Sequence, residues 1–446
     1  MRPHSVAVAL LPLFLLAAAC TDSSGTAPSE PRCPPASACG GTNIGGATMA
    51  TDATGGGIAI GGALAAATGG ALGGGGSGTA GGASGTARGG SGTAGGGSSG
   101  VAGSAGSPSD CAEFRAPDDC DIPEGAVLPA DLRCTGLYGD WEARTLACGV
   151  HAYVPAFELW SDGAEKERYM ALPAGARIDM SDPDDFIYPV GTRFWKTFYV
   201  GPEGQQHLGE TRFLRKDELG WVYTTYIWNE DGTEAIQHNE GLENLHGTGH
   251  GVPSREQCKA CHSGRIDFVL GWDLLMLGPG ASGITREWLL ENDLIDGLPM
   301  GLDLSSAAIP GDEVEKAALG YLHANCGVSC HNETVNATGR PSGLFLRLEV
   351  GELTSPLDSD AVSSGVNRAP SPNAELTGLE IPDGGYYDFM PLDPERSLSV
   401  VRMRVRGSET AMPALGTHLV DEEGVAIVSA WIEQMTEDRG YPAPAP

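Results

Sequence analysis

Two cysteine-histidine clusters carry most of the chemical information in this chain: Cys258-Lys-Ala-Cys261-His262 and Cys326-Gly-Val-Ser-Cys330-His331. In the first, two thiols with two residues between them can add across the vinyl groups of a porphyrin. The histidine that follows can ligate the iron. The spacing therefore predicts a covalently bound haem c on Cys258, Cys261 and His262, since a redox C-x-x-C pair needs no following histidine. The second cluster has one residue more. It can form two thioethers if the loop between the thiols bulges, one thioether through Cys330, or a Cys326–Cys330 disulfide. The first two outcomes predict a second haem, with His331 on its iron.

A sixth iron ligand has several candidates. Met412, followed by Pro413 in a loop before the last helical segment, is expected opposite His331, where a thioether raises the reduction potential. For the first haem, His250 in His246-Gly-Thr-Gly-His250 and Met276 in the apolar run 270–277 are the candidates. An open position is the third option. With an open position, His246, His250, Glu240 or Glu243 could act as an acid/base group.

The elements that must position these residues are of two kinds. Residues 130–240 are expected to be β-rich. Arg193-Phe-Trp-Lys-Thr-Phe-Tyr-Val200 and Gly220-Trp-Val-Tyr-Thr-Thr-Tyr-Ile-Trp228 alternate in the manner of half-buried strands, and Asp231-Gly232 supplies a turn. Beyond 245 the pattern is helical. Ser254-x-x-Gln257 and Asp312-x-x-Glu315 read as capping boxes that lead into Cys258 and Cys326. Asp393-Pro394 opens another helix to about Val405. A last helix follows Asp421, with Val425, Val428, Trp431, Ile432 and Met435 on one stripe.

The helix entering Cys326, the loop methionine and the closing helix together resemble a class I cytochrome c domain. The expected fold is therefore α+β and multidomain: a β-rich module (110–245), a first haem segment (246–310) and an all-α cytochrome c-like domain (311–438). Ahead of these, Arg2 and an apolar run to Ala19 read as a secretory signal, too short to span as a mature helix. Cys20 directly after small residues is the lipidation site of a bacterial lipoprotein, in the segment 1–20; simple secretion is the alternative. Residues 21–109 are dominated by Gly, Ala, Ser and Thr and read as a disordered tether, with a span of roughly 45 Å for its Gly-rich part.

Export makes disulfides possible. Of 11 cysteines, six lie outside both clusters and position 20, and proximity favours Cys33–Cys39, Cys111–Cys120 and Cys134–Cys148. The net charge of −31 excludes a nucleic-acid partner, which needs a basic surface. It suits either a basic redox partner or simple solubility.

Three strings, Phe157-Glu-Leu-Trp-Ser-Asp-Gly-Ala-Glu-Lys-Glu-Arg-Tyr-Met-Ala-Leu-Pro173, Pro189-Val-Gly-Thr-Arg-Phe-Trp-Lys-Thr-Phe-Tyr199 and Tyr321-Leu-His-Ala-Asn-Cys326, resemble a poorly characterised family of bacterial exported dihaem c-type cytochromes. The likeness covers about residues 130–435, and the second cluster departs from that family's usual C-x-x-C-H. It implies two covalent haems and extracytoplasmic electron transfer with other redox proteins of the cell envelope, from a lipid-anchored position. An enzyme, such as a dihaem peroxidase or a substrate-oxidising cytochrome, is the alternative. A non-redox surface lipoprotein whose clusters hold disulfides or metal is the third.

Overall fold

Alternation of aromatic, β-branched and charged residues builds the centre of the molecule. A computed structural model describes residues 116–446, except 121, 123, 124, 305, 306 and 352. The signal segment, Cys20, the tether, Cys33, Cys39 and Cys111 lie outside the described residues. The strands are β1 (Tyr138–Asp140), β2 (Thr145–Leu146), β3 (Val150–Val154), β4 (Glu165–Ala171), β5 (Ile178–Asp179), β6 (Arg193–Val200), β7 (His207–Asp217), β8 (Gly220–Trp228), β9 (Ala235–His238), β10 (Ser282–Gly283) and β11 (Ile295–Asp296). One antiparallel sheet has the order β10-β3-β4-β6-β7-β8-β9. β1 pairs with β2, and β5 lies parallel to β11. The helices are α1 (Arg255–His262), α2 (Arg286–Glu291), α3 (Glu313–Leu322), α4 (Asp360–Gly365), α5 (Leu398–Met403) and α6 (Glu422–Glu433).

Both faces of the sheet are buried, so its strands need not follow a simple in–out alternation. One face packs Trp195, Phe213, Tyr226 and Trp228 against Leu128 and Leu132. The other carries two separate apolar clusters. Met170 and Phe194 pack with Trp272 and Leu274 at one end, and Phe198 and Val200 pack with Leu245 and Val252 at the other. Between them the strands place charged side chains.

The expected all-α cytochrome c-like domain is not present. Among the described residues the helices are only 6 to 12 residues long, and the seven-stranded sheet is the largest ordered element. Helical starts in the sequence were real, with both capping boxes formed, but long irregular stretches follow them. The segment 331–359, for instance, holds only short 3-10 turns. Ser397 splits the expected 394–405 helix into a 3-10 turn, Pro394–Arg396, and α5. Beyond residue 245, β10 and β11 return to pair with β3 and β5. All described residues fall in one compact unit.

In the C-terminal part, α3 and α6 pack around Leu319, Leu322, Val428, Trp431 and Ile432. This core rests on the sheet through Phe157, which lies against Gly320, and through Asn325, whose amide binds Trp160 N at 2.7 Å and Glu158 O at 3.2 Å. The disulfide pairing also differs from expectation. Cys120 is bridged to Cys134, and Cys148 is likewise disulfide-bonded, so proximity in sequence did not set the partners. Among the described residues no helix is long and apolar enough to cross a membrane.

Asp184 ties the two parts together and makes stability depend on pH. Its carboxylate accepts from Val350 N at 2.9 and 3.0 Å. Burial, with Asp273 nearby, still pushes its carboxyl up to about 7. Burial does the same to Asp388 despite Arg402. Both carboxyls hold a proton in the fold that they release when unfolded, so their contribution is complete below about pH 4 and lost as pH rises through about 7. Thermal unfolding should therefore show stability falling between about pH 4 and 7, by on the order of a few kcal/mol. Asp184→Asn should flatten that slope.

Candidate functional site

The first cluster sits on α1. Ser254 caps the helix, its hydroxyl accepting from Gln257 N while the Gln257 side chain accepts from Ser254 N. Cys258 and His262 are one α-helical turn apart, which puts both on one side of the helix. His262 is then fixed from beyond the helix. Its Nδ1 donates to Phe268 O at 2.6 Å, and its ring packs on Phe268 at 4.9 Å. Phe268 in turn lies 5.0 Å from Tyr223 of β8. Burial, with Lys196 and Arg212, lowers the imidazole pKa to about 4. The ring is therefore neutral at pH 7, and its Nε2 has no hydrogen-bond partner among the described residues.

The second cluster reaches the same arrangement by another route. α3 does not continue as an α-helix but passes into a π turn, His323–Gly327. Val328 N donates to His323 O at 2.9 Å, and His331 N donates to Cys326 O at 2.9 Å, both five residues apart. The extra residue between Cys326 and Cys330 is thus taken up by a wider turn, and Cys326 and His331 remain one hydrogen-bonded turn apart. Nδ1 of His331 donates to Leu344 O at 3.1 Å, and burial lowers its pKa as well. Each histidine therefore has its Nδ1 committed to a main-chain carbonyl and its Nε2 uncommitted. That tautomer offers an Nε2 lone pair to a metal.

The fold also brings the two clusters into contact, which their spacing in sequence does not suggest. The four thiols are free and half-buried, and those of Cys261 and Cys330 share a hydrogen bond that raises the pKa of Cys261 and lowers that of Cys330. Gly264 lies directly on the Ser329 carbonyl, where a Cβ would overlap it. Gly339 N donates to Cys330 O at 3.0 Å and closes the other side. No group of three or more His, Cys, Asp or Glu among the described residues could hold a bare metal ion.

The candidate sixth ligands are placed as follows. His250 is buried beside the first cluster. Its Nε2 meets Glu210 Oε1 at 2.8 Å, its ring lies 5.6 Å from Phe198, and its buried Nδ1 has no partner. Met276 is buried in the segment that Asp273 organises by accepting from Leu275 N and Met276 N. Met412 is half-buried in the segment between α5 and α6, and its N–H donates to Arg402 O at 3.0 Å. The charge of Arg402 also acts on His331, so this loop lies on the side of the second cluster.

Several residues around the clusters had not been singled out: Glu210, Arg212, Lys196, Phe268, Asp273 and His323. Arg212 acts electrostatically on Cys258, Cys261 and His262. The signal available in the sequence was charge inside the β-rich region, which strand alternation alone does not interpret.

What fold and site define together is a β-sheet protein in which two cysteine-histidine clusters are packed against each other. No protein-family model, no curated protein and no solved structure matches the chain.

Proposed function

We propose that the protein is an exported, lipid-anchored dihaem c-type cytochrome that carries electrons between redox proteins of the cell envelope. The observation that carries this reading is the matched preparation of His262 and His331. Each is one hydrogen-bonded turn from the first cysteine of its cluster and next to the second, neutral, and held through Nδ1 so that Nε2 can bind iron. Cys258 and Cys261, and Cys326 and Cys330, would form the thioethers by adding their S–H across vinyl groups, with no oxidant required. Bound haem supplies one-electron iron chemistry. The chain's part is to fix the ligand tautomers, to keep the two attachment sites adjoining and to cover them with the sheet. Met412 is the proposed distal ligand of the second site.

Intact mass with haem quantification on the mature protein tests this. Two haems per chain are expected. One haem, or a chain lighter by the mass of the hydrogens lost in a Cys261–Cys330 disulfide, would overturn it, because thioethers at both clusters exclude that bond.

A second reading, an enzyme with an open first haem, draws on His250 and Glu210. A buried imidazole–carboxylate pair beside the first cluster is the acid/base group such a site needs. Carbon monoxide binding to the reduced protein separates the two: no binding, with both haems low-spin, supports the carrier, and rapid binding at one haem supports the enzyme.

A further inference from the structure

Arg168 of β4, Lys196 of β6 and Arg212 of β7 form a row of three cations directly opposite one another on neighbouring strands. Direct cross-strand partners of like charge repel and destabilise a sheet. The arrangement is the more unexpected in a chain whose net charge is −31. The row lies on the inner face, in the gap between the two apolar clusters. It faces α1, since Thr225, opposite Arg212, is on the same side of β8 as Tyr223, over which Arg255 of α1 is stacked at 5.1 Å.

The available carboxylates do not neutralise this row. Glu158 meets Arg168 at 2.7 Å and Lys166 at 3.9 Å. Glu210 meets Arg212 at 2.6 Å and is shared with His250. Lys196, in the middle, has no hydrogen bond or ion pair among the described residues and rests only near the Phe198 ring at 5.1 Å. Arg168 is 5% exposed, and its Nη1 is buried with no partner. Among the described residues only Glu158 and Glu210 form ion pairs with the four cations Lys166, Arg168, Lys196 and Arg212, and Asp421 acts on Lys166 but not on the row. Arg168 is buried and Lys196 and Arg212 are half-buried, and a surplus of positive charge there is costly unless an anion joins it. Burial, with Arg168, Lys166 and Arg212, lowers the Lys196 pKa well below its ordinary value, the behaviour of an ammonium short of a counter-ion.

We propose that Arg168, Lys196 and Arg212 form a dicarboxylate-binding row that receives the propionate groups of the haem attached at Cys258 and Cys261. This rests on the haem reading and names a role for residues outside both cysteine-histidine clusters. The row would complete the site by charge pairing, orient the macrocycle's polar edge toward β6 and raise the potential of that haem, because cations close to its propionates disfavour the oxidised, more positive iron state.

The test compares the wild-type holoprotein with Lys196→Met, Lys196→Gln and Lys196→Arg. Haem is located by mass on the proteolytic peptide containing Cys258 and Cys261, both midpoint potentials are measured by spectroelectrochemistry, and the propionate bending band is recorded by resonance Raman. The expected result is full haem content in all four proteins. In Lys196→Met and Lys196→Gln one midpoint potential falls while the other stays, and the propionate band shifts; Lys196→Arg restores both. Wild-type potentials and an unmoved band in Lys196→Met or Lys196→Gln, with haem present, would overturn the row while leaving the haem reading intact. A wild-type peptide without haem would overturn both.

Discussion

Gly264→Ala is expected to cost about 3 kcal/mol of stability, the upper end for overpacking, and to push the two clusters apart. The added Cβ would overlap the main-chain carbonyl of Ser329. A side chain could rotate away, but this carbonyl belongs to a backbone held on both sides. Cys330 N donates to Cys326 O at 3.2 Å, and Gly339 N donates to Cys330 O at 3.0 Å. Ser329 itself is buried. The backbone of Gly264 lies outside the left-handed region, so the penalty is steric. Two measurements check it. Chemical denaturation gives the stability loss, and mild oxidation of haem-free protein reports the distance between Cys261 and Cys330. The wild type should form that disulfide readily and Gly264→Ala slowly; equal stability and equal rates would show that the contact is not enforced.

This contact also shows where sequence reasoning stopped. β6 and β8 could be read to the residue, because aromatic and β-branched residues alternate along them. β4 and β7 were not legible as strands. Their inner faces present Lys166 and Arg168, or Glu210 and Arg212, where a core strand would show apolar residues, and only pairing with Lys196 reveals why. Capping boxes located α1 and α3, since a cap is a local signal. Helix length was not local information: α3 passes into a π turn at His323, whose ring meets Asp273, fifty residues earlier in the chain. The expected all-α domain failed because the helices are short, with long irregular stretches between them, and the seven-stranded sheet dominates the fold. The spelling of the second cluster looked defective, yet the wider turn absorbs its extra residue, and no reading of spacing alone contains that hydrogen bond.

Asp273→Asn should lower stability nearly as much as His323→Ala, each by about 3 kcal/mol, even though the amide has the size and shape of the carboxylate. The two side chains are 2% and 0% exposed and meet at 3.1 Å. Leu348 N donates to His323 Nδ1 at 3.0 Å, so Nδ1 carries no proton and Nε2 must be the donor toward Asp273. An amide that keeps its oxygen on Leu275 N and Met276 N would turn its NH2 toward that donor. Two donors would then face each other with no water to separate them. Burial opposes the Asp273 carboxylate, but His323 and Arg265 outweigh it and hold its pKa down to about 2. The carboxylate's contribution is therefore present above about pH 4 and lost as pH falls through about 2. The gap between wild type and Asp273→Asn should close over that window, which denaturation at pH 7 and at pH 2.5 would show. Because His323 opens the π turn that carries Cys326 and His331, the same variant should loosen the second cluster. A double variant with leucine at both positions should not recover the lost stability, since it also leaves the main-chain N–H groups of Leu275, Met276 and Leu348 without acceptors; if Asp273→Asn proves neutral, the proton is not on Nε2 and the assignment of the turn's anchor fails.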